Sequence, residues 1–234
     1  MPPHPPATPL EQETLRAWDE RLSRMRAHHL ALKRAGYWIH GRPDLLGVLG
    51  RERRETYHST MLGWLLDPGA PTGLGTRFLR RFLVEIDPAF SSITEERLES
   101  VSVQCEVGRL ASRTDVVLFG DDFTVVVEVK VDAVEGPAQC LRIYRDFRAD
   151  PSPRYVFLTP RGQQPLTATE EAEGAFVPLS YRRLSALLEA VLVEEEGLGP
   201  RWAGPPGSPV SLAHTAGWAT CTSYAFTLSQ EFPS

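Results

Sequence analysis

Asp115, Glu128 and Lys130 are the residues of this 234-residue chain whose types and spacing could do chemistry together. Asp115 opens an apolar run ending at Phe119. Gly120-Asp121-Asp122 follows as a turn signal, and a Val-rich run from Thr124 to Val131 carries the other two residues. A hairpin turning at Asp121-Asp122 pairs residues whose numbers sum to about 243, which sets Asp115 opposite Glu128 or one place from it. With the two-residue period of a strand, Thr124, Val126, Glu128 and Lys130 share one face. Val125, Val127, Val129 and Val131 share the other, which is the expected core face. Three charges together on an apolar hairpin are costly unless they are paired or bind an ion. The pattern Asp-(12 residues)-Glu-Val-Lys suits a divalent-metal phosphodiesterase. Two carboxylates and a backbone carbonyl can hold Mg²⁺, the ion can activate a water, and the lysine can orient that water or stabilise the oxyanion. From the hairpin alone, a surface ladder of salt bridges from Glu128 to Lys130, with Asp115 a stray turn residue, explains the pattern equally well.

The rest of the chain must position these three. Thr8-Pro9-Leu10-Glu11 is a capping box that opens a helix, along which Leu15, Trp18, Leu22, Met25, His29 and Leu32 recur at steps of three and four. A connector from Tyr37 to Pro43 follows, and Asp44 caps a short helix through Leu49. The stretch from Arg51 to Leu66 reads as one helix, apolar almost all round in its second half and stopped by Asp67-Pro68. Glu55 lies on its polar first half, beside Arg51, Arg53 and Arg54. A helix from about Thr76 to Glu85 carries Arg77, Arg80 and Arg81. These two groups form the densest basic zone of the chain, which suits phosphate contacts and equally a solvated helix face.

A short helical piece over Ile93 to Leu98 and a strand over Val101 to Val107 precede the hairpin. Glu135-Gly136-Pro137 opens a helix from about Ala138 to Ala149, with Gln139 on its first turn. Strands over Arg154 to Thr159 and Ala175 to Leu179, a helix over Tyr181 to Glu195, a Pro/Gly linker from Leu198 to Ser208, and a last helix over about Val210 to Gln230 complete the order. Helices, three strands, helix, two strands and two helices make an α/β sandwich on a mixed sheet, its hairpin antiparallel and the strand after the crossover helix parallel. The expected organisation is a disordered, proline-rich lead-in over 1–8 and one domain over 9–234, with a helical extension at 9–50, a core at 51–195 and a terminal helix at 209–230.

Hydrophobic residues at 42% and charged residues at 24% are ordinary for a soluble globular protein. No apolar run approaches the roughly 20 residues of a membrane span, and the N-terminus lacks a signal-like apolar segment. Cys105, Cys140 and Cys221 are too scattered for a disulfide framework or a structural zinc site, which fits a cytoplasmic location. A net charge of −5 speaks against broad electrostatic nucleic-acid binding but leaves room for a local basic cleft.

In order along the chain stand Glu55, Ser59, Trp64-Leu65-Leu66-Asp67-Pro68, Gly73-Leu74-Gly75, Arg113 and Asp115, Glu128 and Lys130, and Gln139. This ordered set resembles the PD-(D/E)xK nuclease superfamily, closest to a standalone, restriction-endonuclease-like prokaryotic group, over about Leu45 to Phe147. The resemblance implies an αβββαβ core with a mixed central sheet. It also implies that Asp115, Glu128, the Val129 carbonyl and Glu55 hold Mg²⁺ or Mn²⁺, that Lys130 acts on water or oxyanion, and that Gln139 positions the lysine or the phosphate. Arg54, Arg77, Arg81 and Arg113 are the expected nucleic-acid contacts. The family often has a histidine before Gly-Leu-Gly, where Thr72 stands here. The tyrosine expected four residues after the Gln is replaced by Ile143, and Tyr144, one place on, points about 100° away on a helix. No role transfers to either.

The function implied is a metal-dependent DNA endonuclease serving defence against phage or other foreign DNA. The alternatives are a ribonuclease, or a catalytically weak nucleic-acid-binding or assembly module that keeps the fold. A homodimer joined through the first or last helix, and an activating partner protein or small-molecule signal, are open at this level.

Overall fold

The hairpin forms in the expected register. In the computed structural model, which describes residues 9–34, 44–196 and 209–232, Val116 lies opposite Val127 and Val117 opposite Val126. The expected lead-in (1–8), connector (37–43) and linker (198–208) lie outside the described residues. The chain divides into two compact units, 1–43 and 44–234. The first holds helix α1 (Pro9–Arg34), along which Trp18, Leu22 and Met25 are exposed.

In the second unit, Asp44 accepts from the Gly47 amide at 2.7 Å and caps α2 (Leu45–Leu49), which Gly50 ends in the left-handed region. Helix α3 (Glu55–Leu66) starts four residues later than the sequence predicts. Residues 51–54 form a turn instead, so Glu55 sits at the helix mouth rather than within it. α4 (Arg77–Ile86), a 3₁₀ turn (Pro88–Ser92) and α5 (Glu95–Glu99) lead to β1 (Ser102–Gly108), β2 (Arg113–Phe119) and β3 (Thr124–Val129). Then come α6 (Gln139–Phe147), β4 (Pro153–Thr159), β5 (Phe176–Ser180), α7 (Tyr181–Glu196) and α8 (Pro209–Glu231).

The sheet runs β1-β2-β3-β4-β5, antiparallel on either side of β2 and parallel from β3 to β5. This is the α/β architecture of a restriction-endonuclease-like core. Both faces are covered. Val125, Val127, Val129 and Val131 pack with α3, α4, α7 and α8 in the larger core. The opposite face is a second core as well, where Val117 and Val126 meet Cys140, Ile143 and Phe147 of α6 and Tyr155, Phe157 and Phe176. The sequence predicts an apolar face and a charged face; the crossover helix closes the latter, leaving its charges only at the strand end. A strand flanked by neighbours on both edges and helices on both faces has no polar side left, so every residue of β3 is buried.

Two close approaches lock the helices down. On α3, a Cβ at Gly63 would stand 2.4 Å from Cys105 Sγ of β1. On α8, a Cβ at Gly217 would stand 1.8 Å from the Pro71 carbonyl oxygen. The apolar side of α8, with Cys221, Tyr224 and Leu228, is spent in the larger core of its own chain.

Candidate active site

Four elements converge where β3 ends. β2 delivers Asp115 near its start, β3 delivers Glu128 with Lys130 just beyond it, and α3 and α6 each present their first residue, Glu55 and Gln139. Asp115 Oδ2 accepts from the Val129 amide at 2.7 Å, which ties the two hairpin strands at the site itself. Glu128, only 2% exposed, accepts through Oε1 from Lys130 Nζ at 2.7 Å and from Gln139 Nε2 at 2.5 Å. Gln139 is held in turn, its Oε1 accepting from the Gly136 amide. Glu55 Oε1 accepts from the Val131 and Ala133 amides at 2.8 and 3.2 Å, and its Oε2 stands 4.0 Å from Lys130 Nζ. Predicted from sequence, Glu55, Asp115, Glu128, Val129, Lys130 and Gln139 are thus brought together.

The electrostatics are those of a site short of positive charge. Burial, offset in part by the Val129 amide and Lys130, pushes the Asp115 carboxyl up to about 6. Burial and then the charge of Asp115 push Glu128 up to about 8, against the pull of Lys130. Burial lowers the Lys130 ammonium, but Glu128 and the other carboxylates outweigh it and leave its pKa raised. Glu128 Oε2 is buried with no hydrogen-bond partner. A cation between these carboxylates would satisfy that oxygen and relieve both shifts, so the donor set fits a hard divalent ion. Among the described residues no three His, Cys, Asp or Glu side chains already converge as a closed ligand set. Asp115 and Glu128 supply two carboxylates, and Glu55 is partly committed to backbone.

A pH dependence follows for the metal-free protein. Both carboxyls have folded pKa values above their unfolded ones, so their contribution is fully present below the ordinary carboxylate range and is lost as pH rises through about 6 and then about 8. Melting temperature in EDTA is expected to fall across this window, the fall being smaller in Glu128→Gln. Added Mn²⁺ should restore stability most at the alkaline end. A melting temperature that rises with pH in EDTA would contradict the burial assigned to these groups.

Beneath Glu55 lies support that sequence reasoning missed. His58, one turn along α3, is fully buried. Its Nε2 meets the Glu52 carbonyl at 2.7 Å, so that nitrogen carries the proton, and Nδ1 accepts from Tyr224 OH of α8 at 2.9 Å. Burial lowers the His58 pKa and keeps it neutral. Tyr181, at the start of α7, stacks on Phe232 with centroids 4.2 Å apart and lies 5.0 Å from the His58 ring. Arg53 reaches from the α3 turn to Asp132, just past Lys130, at 2.8 Å, and lies within ion-pair reach of Glu231 of α8. Residues 166 apart in the chain leave no local signal of such pairing. Glu106, in β1, adopts φ 58°, and its charge helps to raise the pKa of Asp115. Nothing in a glutamate's sequence context signals that conformation.

The arginines expected to touch nucleic acid are placed differently from one another. Arg54 is exposed beside Glu55. Arg77 donates to the Gly73 carbonyl, Arg81 is paired with Glu194, and Arg113 with Glu106. Thr72 is buried and accepts from the Leu74 amide, and Tyr144 packs on Tyr155.

Residues 43–199 match the family model described as the PD-(D/E)XK nuclease superfamily. Comparison with curated proteins and with solved structures gives no match.

Proposed function

This chain belongs to the PD-(D/E)XK nuclease superfamily, and from that premise we propose that it is a Mg²⁺-dependent endonuclease hydrolysing phosphodiester bonds in DNA. Nucleases of this superfamily generally use divalent metal ions. Asp115, Glu128 and the Val129 carbonyl, with Glu55 beside them, would hold the ion. Once bound, it would supply Lewis-acid charge at the phosphate and lower the pKa of a water.

The chain's own groups do the rest. Lys130 Nζ, now bonded to Glu128, orients the attacking water or meets the charge that develops on the phosphate oxygens. Gln139 fixes the Glu128 carboxylate in place, and Glu55 fixes the backbone just past Lys130 through two amides. The water oxygen forms a bond to phosphorus while the bond from phosphorus to the leaving oxygen breaks, and that oxygen ends protonated. The observation that carries this reading is Glu128: buried, bonded by both Lys130 and Gln139, and left with one oxygen that wants a cation. A cytoplasmic role in defence against foreign DNA is the setting we assign to such an activity. Among the described residues no helix is long and apolar enough to cross a membrane.

The test is cleavage of supercoiled plasmid, linear duplex, single-stranded DNA and RNA in Mg²⁺ or Mn²⁺, with EDTA as control. Metal-dependent nicking and linearisation of plasmid is expected. Preferential cutting of RNA would replace the substrate, and a folded protein that cuts nothing and binds no Mn²⁺ by calorimetry would overturn the reading.

A further inference from the structure

Most arginines of the second unit are neutralised within it. Arg53 pairs with Asp132, Arg81 with Glu194, Arg145 with Glu171 and Arg183 with Glu85. Arg54, Arg161 and Arg182 are exposed, and none makes an ion pair with a described residue. These three fall at one end of the sheet, the end that carries Glu128 and Lys130.

A chain of contacts links them. Arg54 precedes Glu55, whose carboxylate holds the Val131 amide next to Lys130. The Lys130 amide donates to the Leu158 carbonyl at 2.8 Å, placing the end of β4 beside it. Arg161 follows two residues after β4, and the next residue, Gly162, backs onto Ser180, where a Cβ would lie 3.3 Å from the Ser180 amide nitrogen. Arg182 stands two residues past Ser180, in the first turn of α7. β3, β4 and β5 are parallel, so their C-terminal ends share this edge.

We propose that Arg54, Arg161 and Arg182 form a phosphate track along this edge, which guides the sugar–phosphate backbone of a nucleic-acid substrate past the Asp115–Glu128–Lys130 cluster. The proposal rests on the nuclease reading above. Its chemistry answers a problem that reading poses. A polyanion must approach a site rich in carboxylates on a chain of net charge −5, and it needs cations not already spent on carboxylates of the protein itself. Arg54, Arg161 and Arg182 are exposed here and hold no carboxylate partner among the described residues. Arg77, by contrast, donates to the Gly73 carbonyl, and Arg81 is paired with Glu194.

The experiment measures binding of a labelled duplex oligonucleotide by fluorescence anisotropy in EDTA, where no hydrolysis occurs, between about 50 and about 200 mM salt. Each phosphate that the protein no longer neutralises should reduce the slope of log affinity against log salt by about 0.9 on duplex DNA. Arg161→Ala/Arg182→Ala is expected to flatten the slope by about 1.8, with an unchanged melting temperature, and Arg81→Ala to leave the slope as in the wild type. An unflattened slope in the double variant, while the wild type binds, overturns the track and spares the nuclease reading. An equal flattening in Arg81→Ala overturns the track as well. A wild type with no salt-dependent affinity for any nucleic acid and no cleavage overturns both.

Discussion

Lys130→Ala should lower kcat/KM for nucleic-acid hydrolysis by at least about a hundredfold, and Glu128→Ala by as much or more, the range seen when one group stabilising transition-state charge is removed. The ammonium sits 2.7 Å from a carboxylate that is itself almost fully buried, so each group is held in place by the other. Stability should behave differently. Removing Lys130 alone leaves Glu128 without its counter-ion, but a carboxyl already raised toward neutrality can take a proton instead of unfolding the chain. Lys130→Met/Glu128→Gln removes the buried pair together and should melt in EDTA close to the wild type, because a buried pair roughly balances its own desolvation. Rates at saturating Mn²⁺, read beside melting curves, separate the two effects. Activity of Lys130→Ala within tenfold of wild type would remove the lysine from the reaction.

The second large effect is on the fold. Gly217→Ala is expected to destabilise by roughly 2–3 kcal/mol, the upper part of the range for overpacking, and to lower the melting temperature by roughly 4–12 °C for a unit of this size. Its added carbon would meet the Pro71 carbonyl oxygen at 1.8 Å and the carbonyl carbon at 2.9 Å, both backbone. That loop cannot step aside freely, since Thr72 turns it onto the Leu74 amide and its carbonyl takes the Cys221 thiol. The helix must move instead, carrying Tyr224 away from His58. Gly63→Ala is the contrasting case: its nearest obstacle is the end of the Cys105 side chain, which can rotate, so a smaller loss is expected. Urea denaturation compares the two. A Gly217→Ala variant within about 0.5 kcal/mol of wild type, the ordinary range for a surface change, would show that α8 does not lie against Pro71.

What is legible in the chain follows from range. The hairpin register is legible because Gly120-Asp121-Asp122 is a local signal, and Val116 opposite Val127 is where that turn sets it. The Glu128–Lys130–Gln139 arrangement is legible for the same reason, as strand, turn and helix start lie within a dozen residues. The second core is not, since Val126 looks like any residue on a charged face until α6 closes over it. Sequence places the start of α3 too early because Arg51 to Arg54 are good helix formers whose turn is set by tertiary bonds such as Arg53 to Asp132. The basic stripe of α4 looks free because the carboxylate partner of Arg81, Glu194, lies 113 residues away.

The bond from Tyr224 to His58 bears on how such an enzyme is made. All six residues assigned to the chemistry lie between Glu55 and Gln139, and α8, which braces the base of α3, follows them by dozens of residues. A growing chain therefore carries its full complement of reactive groups well before it carries the brace. Hydrolytic competence is expected to appear only once residues through Phe232 have emerged and docked, so partly synthesised chains would be harmless to the nucleic acid around them.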